Sequence, residues 1–504
     1  MRGKTKNAAG TFASSVALIT VFAVLTRAIG FLFRIFLSRI LGPEMLGIYQ
    51  IALSFFTVFL TLVASGLPLA ISKRVATKQS GGVVVAGLCI SMALSLLACG
   101  ILFAGHTLLG KLFTDARCIS ILIVLVPSVF AASCYCVIRA VWWGERRYFL
   151  LGVTELMEQI IRIIMFVVML ALAFLFVDLA QIAALSYTVA FFLAAIIVAF
   201  MYFKARKIDA DKTNTARTQY KPLFKSAAPI TGMRLLSSFA MPIIAVAIPM
   251  RLISAGWTSA AALSAFGVLI GMTYPLLTIP QTVISSLSTA LVPELSSAYT
   301  DKNNDKVSHQ VRNALKFTLF INFLLLPAFI ALGEGIGTFL YAEAVSGIYL
   351  SQFAWAMIPI SLSQITNAIL NSLGRETAAM KNYGIGAVAL FASVWFLPKF
   401  IGIGALVVGM GACMSIASIL NLVLIARLTS KGIVITVISQ TLTFALLCIP
   451  SVLLGLFTYG ILLPYIGLFA SLTLCGTATL VVFLALCHIF NIVKFNGFRV
   501  KFSS

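Results

Sequence analysis

FASSVALITVFAVLTRAIGFLFRIFLSRIL, residues 12–41, carries three charged side chains in thirty positions. A bilayer core about 30 Å thick takes roughly 20 apolar residues per helix, so the stretch reads as a membrane span. Arg2, Lys4 and Lys6 precede it in the manner of a signal peptide. The apolar run continues to Leu41 without a small-residue cleavage site, which makes it an uncleaved first span. Arg27 and Arg34 are seven residues apart, nearly two helical turns, so they share one face about 10 Å apart, and Arg39 lies off that face. A charge at the bilayer centre costs roughly 2.5–3.5 kcal/mol even on the permissive insertion scale, so Arg27 is expected to face protein or water, as an anion site in a cavity. For Arg34 and Arg39, nearer the far surface, snorkelling to headgroups competes with a cavity role.

The rest of the chain repeats this composition. Its 504 residues are 61% hydrophobic and 10% charged, with a mean hydropathy of +1.08, which excludes a soluble enzyme or a single-span receptor. The apolar runs are long and unbroken rather than alternating in segments of about ten, so the class is helical and not a barrel. Beyond the first span, further spans read at residues 46–72, 82–105, 118–141, 154–177, 179–203, 223–250, 260–292, 311–333, 347–373, 379–397, 402–426, 433–457 and 461–488. The result is an all-α polytopic protein of about 14 transmembrane helices.

Charge placement sets the orientation. Thirty-six Lys and Arg against 14 Asp and Glu leave a net charge of +22, a value that in a soluble protein points to nucleic acid. Here 26 of the basic residues fall in loops on the side of the N-terminus, and only Lys111, Arg117, Arg251 and Lys399 fall opposite. This is the positive-inside pattern of a cytoplasmic membrane protein with both termini cytoplasmic and no nucleic-acid partner. Trp142, Trp143 and Tyr148 fit an interfacial aromatic belt. A basic linker at 204–221 divides the first twelve spans six and six. The expected organisation is an N-lobe at 1–203 (spans 1–6), the cytoplasmic linker at 204–221, a C-lobe at 222–427 (spans 7–12), and spans 13–14 with a cytoplasmic tail at 428–504. Both lobes start from the same side, so a repeat between them is parallel.

Several side chains stand out within the spans. Arg234, about ten residues into the seventh span, has no acid near it in sequence and is the counterpart of Arg27. Glu158 and Arg162 are four apart and read as a structural ion pair that lowers insertion cost, with Glu155 one turn earlier. Gln364, Asn367 and Asn371 make one polar face that either lines a hydrated cavity or bonds neighbouring helices. Pro242, Pro249, Pro275 and Pro280 remove backbone hydrogen bonds within spans seven and eight, which marks hinge positions. From Gly432 to Val493 there is no Asp, Glu, Lys or Arg, a composition suited to lipid contact. The nine cysteines read as apolar packers rather than metal ligands or disulfides. GHTLLGK at 105–111 has the spacing of a phosphate-binding loop, but Leu112 replaces the metal-binding hydroxyl, and the match is accidental. The three histidines are scattered and the acids opposite the N-terminus are isolated, so no catalytic constellation forms. Transport remains, with no resident cofactor or metal and with dependence on membrane potential or a coupling ion left open.

LTRAIGFLFRIFLSRILGPEMLGIYQ (25–50), GLPLAISKRVATK (66–78) and LIGMTYPLLTIPQTVISSLSTALVPELSSAY (269–299) resemble the stage V sporulation protein B branch of the polysaccharide transporters. These belong to the multidrug/oligosaccharidyl-lipid/polysaccharide (MOP) exporter superfamily. The chain is also similar to the lipid II flippases. The resemblance implies a MATE-like pair of six-helix lobes plus two C-terminal helices, and a role in sporulation or cell wall synthesis. It implies that Arg27 and Arg34 line a cationic central cavity, that Lys73 or Arg74 is a basic group at the inner end of the second helix, and that the last two helices hold a lipid tail. The acid that those flippases place after the second arginine is Ile35 here.

The expected activity is a non-enzymatic flippase, most simply a monomer, for an undecaprenyl-diphosphate-linked peptidoglycan precursor. Arg27, Arg34 and Arg234 meet the phosphates, and membrane lipids surround the tail. Exporters of other polysaccharide precursors, or a MATE-like drug/cation antiporter, are the alternatives. The cation reading favours buried carboxylates, whereas the embedded charge here leans positive.

Overall fold

The computed structural model describes the backbone of residues 2–77, 82–172, 178–205, 212–429, 432–490, 492–496 and 499–502, with side chains from Val21 onward except at 205–218 and beyond 492. Lys78, Lys431 and residues 206–211 of the basic linker lie outside the described residues.

In chain order the first helices are α1 (Arg2–Ala64), α2 (Gly66–Ala76), α3 (Val83–Leu112), α4 (Arg117–Leu125), α5 (Ser128–Gly144) and α6 (Tyr148–Leu172). They are followed by α7 (Leu179–Ala205), α8 (Lys212–Ser238), α9 (Ala240–Ser254) and α10 (Ser259–Phe266). A π-helical turn, Gly267–Thr273, leads into α11 (Tyr274–Leu277), α12 (Ile279–Thr300), α13 (Asn304–Tyr341) and α14 (Ala344–Phe353). After a 3-10 turn come α15 (Met357–Ser372), α16 (Glu376–Phe396), α17 (Pro398–Ile401), α18 (Gly404–Leu428) and α19 (Gly432–Ile489). A short antiparallel hairpin, β1 (Val493–Asn496) with β2 (Arg499–Phe502), closes the chain and pairs Val493 with Phe502.

Ten stretches among the described residues are long and apolar enough to cross a membrane. Two of them, Val21–Ala76 and Gly432–Ile489, have 56 and 58 residues, far more than one crossing needs. Each is broken by a glycine in the same backbone state: Gly42 at φ 70°, ψ 173° and Gly467 at φ 76°, ψ 168°. A side chain rarely adopts that φ, so glycine is required at both joints. Counting those two twice and adding α6 and α16 gives the fourteen spans expected. The last joint falls at Gly467 rather than at 458–460; Tyr459, which packs on Gly335 of α13, lies within the helix.

The chain forms two compact units: Met1–Met250 with Thr258–Gly267, and Arg251–Trp257 with Val268–Ser504. The seventh span and the start of the eighth therefore pack in the first unit. Lipid tails are as apolar as Leu, so close packing and hydrogen bonds, rather than water exclusion, join the helices. In the first unit, Gly47 of α1 meets Leu263 of α10, and Gly66 of α2 meets Ala227 of α8; a methyl at either glycine would overlap the facing carbonyl. Buried Ser95 donates to the Val129 carbonyl at 3.3 Å, and Thr188 to the Val124 carbonyl at 2.8 Å.

In the second unit α19 lies along α13. Ile433, Val437, Phe444, Cys448, Ser451 and Gly455 form its buried stripe, while Ile435, Ile438, Leu442, Leu446, Leu453 and Phe457 point outward. Phe444 stacks on Phe323 at 5.8 Å and lies 6.2 Å from Phe483 across the glycine joint. An outer face of exposed aliphatic and aromatic side chains with no charge is a lipid-facing surface.

Candidate functional site: an arginine-lined chamber in the first unit

Two adjoining cavities share Ala64 as a common wall. One, of about 320 Å³, is lined by Thr57, Leu60, Thr61, Ala64 and Ser65 together with Arg234, Ser237 and Ser238 of α8. Thr57, Thr61 and Ser65 recur every four residues, so they face the same way. Their hydroxyls donate one turn back, at 2.8, 2.7 and 2.6 Å, to Leu53, Thr57 and Thr61 carbonyls. This arrangement lets polar side chains sit in a helix without breaking it and leaves oxygen lone pairs towards the cavity. Arg234 is exposed to this space and makes no ion pair among the described residues.

The second cavity, of about 360 Å³, is lined by Phe22 and Ala23 of α1, Pro68 of α2, Cys136, Arg139, Ala140 and Trp143 of α5, and Tyr148, Leu151, Gly152 and Glu155 of α6. Arg139 donates to Glu155 at 2.9 Å, to the Tyr135 hydroxyl at 3.2 Å and to the Leu151 carbonyl at 3.2 Å. Its Nε is buried with no acceptor among the described residues. Sequence reasoning passed over Arg139. The available signal was a single arginine inside the apolar run at 118–141, with Glu155 waiting early in the following span.

The predicted residues distribute as follows. Arg27 lies one turn beyond Ala23 on the same helix and is exposed. Arg34 is half-buried and within charge range of Tyr49, as is Arg162. Both Arg27 and Arg34 interact with neighbouring groups. Glu158 and Arg162 form the anticipated ion pair, and the Arg162 guanidinium also covers the Tyr187 ring at 4.4 Å. Lys73 is exposed, whereas Arg74 donates to Gln219 Oε1 at 2.5 Å, joining α2 to α8.

The polar face of the tenth span lies in the second unit. Asn421 of α18 donates to Asn367 at 2.8 Å and to Thr366 at 3.2 Å, and accepts from Asn382 of α16 at 2.9 Å. Asn367 thus bonds neighbouring helices. Gln364 reaches the Gln281 carbonyl at 3.5 Å, its own Oε1 is buried without a partner among the described residues, and Asn371 is exposed at the end of α15. Pro242 is in the first turn of α9 and Pro249 lies inside it, while Pro275 and Pro280 open α11 and α12 directly after the π turn. No group of three potential metal ligands occurs among the described residues.

Residues 12–299 match the model of a family described as polysaccharide biosynthesis protein. The chain belongs to that family. This family member is 25% identical to stage V sporulation protein B of Bacillus subtilis (strain 168) over 508 residues, covering 97% of each chain. Its fold matches a solved lipid II flippase MurJ in an inward closed conformation, with a TM-score of 0.65, 17% identity, and 94% of this chain and 98% of that one covered. It matches a solved inward-facing multidrug resistance MATE family transporter of the MOP superfamily with the same TM-score and 16% identity, over 81% of this chain and 95% of that one. The architecture of the family member is therefore that of the MOP superfamily, in a multi-pass membrane protein.

Proposed function

We propose that this family member is a flippase that carries a lipid-linked, anionic saccharide precursor across the cytoplasmic membrane, with both termini in the cytoplasm. The observation that supports it is Arg234, a cation without a carboxylate partner among the described residues, in a hydroxyl-lined cavity that adjoins the Arg139 chamber. Phosphate and saccharide hydroxyls in hydrocarbon cost several kcal/mol each when unpaired. Guanidinium groups replace that water with charge-assisted hydrogen bonds. Arg234 and Arg139 are the first contacts for a diphosphate, and Arg27, one turn along from the chamber wall, is the next. The polyprenyl tail stays in lipid.

Both acids of α6, Glu155 and Glu158, already face arginines, so the uncompensated charge of the two cavities is the positive one of Arg234. That balance favours an anion over the cationic drug of an antiporter. Among anionic cargoes, the likeness to stage V sporulation protein B and to MurJ favours an undecaprenyl-diphosphate-linked peptidoglycan precursor, used in spore cortex or wall synthesis, over other polysaccharide precursors. With the cell interior negative, each negative charge moved outward gains about 2.3 kcal/mol per 100 mV, which drives export without a nucleotide.

The test is reconstitution in sealed vesicles with labelled polyprenyl-diphosphate precursors of differing saccharides, scored for exposure on the far side with and without an imposed voltage. Exposure of a peptidoglycan precursor, faster with the far side positive, is expected. Equal inertness towards every precursor, or movement of organic cations instead, overturns the assignment.

A further inference from the structure

The larger cavity of the first unit has a lining that a diphosphate alone does not call for. Phe22, Trp143 and Tyr148 bring three aromatic side chains to it, and Glu155 lines it beside Arg139. Successive helical positions point about 100° apart. Trp142 is 2% exposed in the interior, and Trp143 next to it is 58% exposed on the cavity wall. Phe22 is fixed from two sides: a methyl on Gly152 would come within 2.3 Å of its ring, and Phe149 meets the ring edge-on at 5.9 Å. An aromatic wall held in place before a ligand arrives loses little freedom on binding.

The polar part of the lining is equally selective. Glu155 is half-exposed and accepts from Arg139 at 2.9 Å. The guanidinium offsets its charge, so the carboxylate accepts hydrogen bonds strongly without repelling an anionic cargo. Apolar faces beside a two-oxygen acceptor match a sugar ring. A pyranose carries C–H bonds on its faces and hydroxyls around its rim. Its C–H bonds suit the negative face of an aromatic ring, and neighbouring hydroxyls donate to the two oxygens of one carboxylate. The volume, about 360 Å³, is at the small end of ligand pockets, roughly 300–1,000 Å³. Trp143 and Tyr148 flank the turn at 145–147 that joins α5 to α6 and holds Arg146 and Arg147. In the proposed orientation that is the cytoplasmic side, where an exported cargo is taken up.

Resting on the flippase reading, we infer that this cavity is the saccharide subsite of the carrier. A sugar ring of the cargo lies on Trp143 with a pair of hydroxyls on Glu155, while Arg234 in the adjoining cavity meets the diphosphate. Trp143 and Glu155 thereby select a lipid that bears a sugar, a distinction that an arginine facing phosphate does not make.

The full-length protein in detergent is titrated with undecaprenyl diphosphate and with the same lipid bearing the peptidoglycan disaccharide, and the ratio of the two affinities is read. The unaltered chain is expected to favour the saccharide-bearing lipid roughly tenfold or more, the equivalent of one charge-assisted hydrogen bond. Trp143→Phe keeps most of that preference, and Trp143→Ala and Glu155→Gln each lose most of it. Absence of a preference in the unaltered chain, or a preference that survives either of those two variants, overturns the subsite and leaves the flippase reading standing. Equal weakening of both lipids by Trp143→Ala is such a survival, and gives the residue to packing or to the polyprenyl chain. Should Trp143→Ala fail to accumulate, Glu155→Gln decides. A chain that binds neither lipid overturns the flippase reading, and the subsite with it.

Discussion

Gly47 and Gly267 pack backbone against backbone: a β-carbon on Gly267 would overlap the Pro43 carbonyl and approach the Gly47 amide at 2.6 Å, and one on Gly47 would overlap the Leu263 carbonyl. The crossing joins α1 to α10 at the residue where the π turn begins. Backbone cannot move aside as a flexible side chain can, so Gly47→Ala is expected to destabilise by about 1–3 kcal/mol, the usual cost of overpacking. Gly100→Ala, with nothing within 4 Å of the added methyl, is the control. There the better helix propensity of alanine, about 1 kcal/mol, gives an unchanged or raised midpoint. Thermal unfolding of both variants in one detergent checks the sign.

Arg234→Lys keeps the charge in the hydroxyl-lined cavity and Arg234→Ala removes it. A hydrogen bond to a charged group contributes about 1.5–3 kcal/mol, so the alanine variant is expected to bind the diphosphate cargo roughly 10–100-fold more weakly. Lysine, lacking the bidentate fork, falls between. Binding titrations with a labelled precursor at constant protein level distinguish the three.

Glu158 is 7% exposed and its partner Arg162 lies beside it on the same helix. Removing one member of a buried pair leaves an uncompensated charge, so Glu158→Gln is expected to cost about 3–5 kcal/mol. Glu158→Leu combined with Arg162→Met, apolar groups of similar length, recovers most of that loss. Similar midpoints for the single and double variants would remove the pair from the stability argument.

At the opposite ends of the spans, Arg117 donates to Asp115 at 2.8 Å and to Glu44 at 2.6 Å. The hydrogen bond from the Arg117 side chain holds the Asp115 carboxyl below the usual carboxylate range. A carboxyl whose folded value is depressed stabilises the fold above its unfolded value, about 3.9, and that contribution fades as pH falls through the lower folded value. Between pH 5 and 8 this term is therefore flat, and the midpoint declines below about pH 4. Asp115→Asn is expected to lower the midpoint at neutral pH and to flatten the acid limb.

Much of this was legible from composition because each span needs about 20 apolar residues whatever it packs against. The Glu158–Arg162 pair was legible because i,i+4 spacing alone brings those side chains together. Arg139 was not, since its carboxylate is on another helix, and sixteen residues of sequence separation carry no angular information. The tenth span's stripe showed a polar face, but its partner Asn421 appears only once α15 and α18 are packed. Pro275 and Pro280 announced a break in the eighth span. The π turn before them starts at Gly267, which meets α1, a contact that no local pattern encodes.

The passage from one unit to the other at Gly267 bears on how the molecule can be divided. The hydrophilic connector at 204–221 is the first place to cut a two-lobed chain. A fragment ending there would lack α8 and α10, and with them Leu223 and Ala227, which complete the apolar interior around Trp142 and Tyr202. Co-expressed halves cut at that connector would divide the first unit between them and leave the second whole. The compact first unit runs past that connector to Gly267, leaving out only Arg251–Trp257.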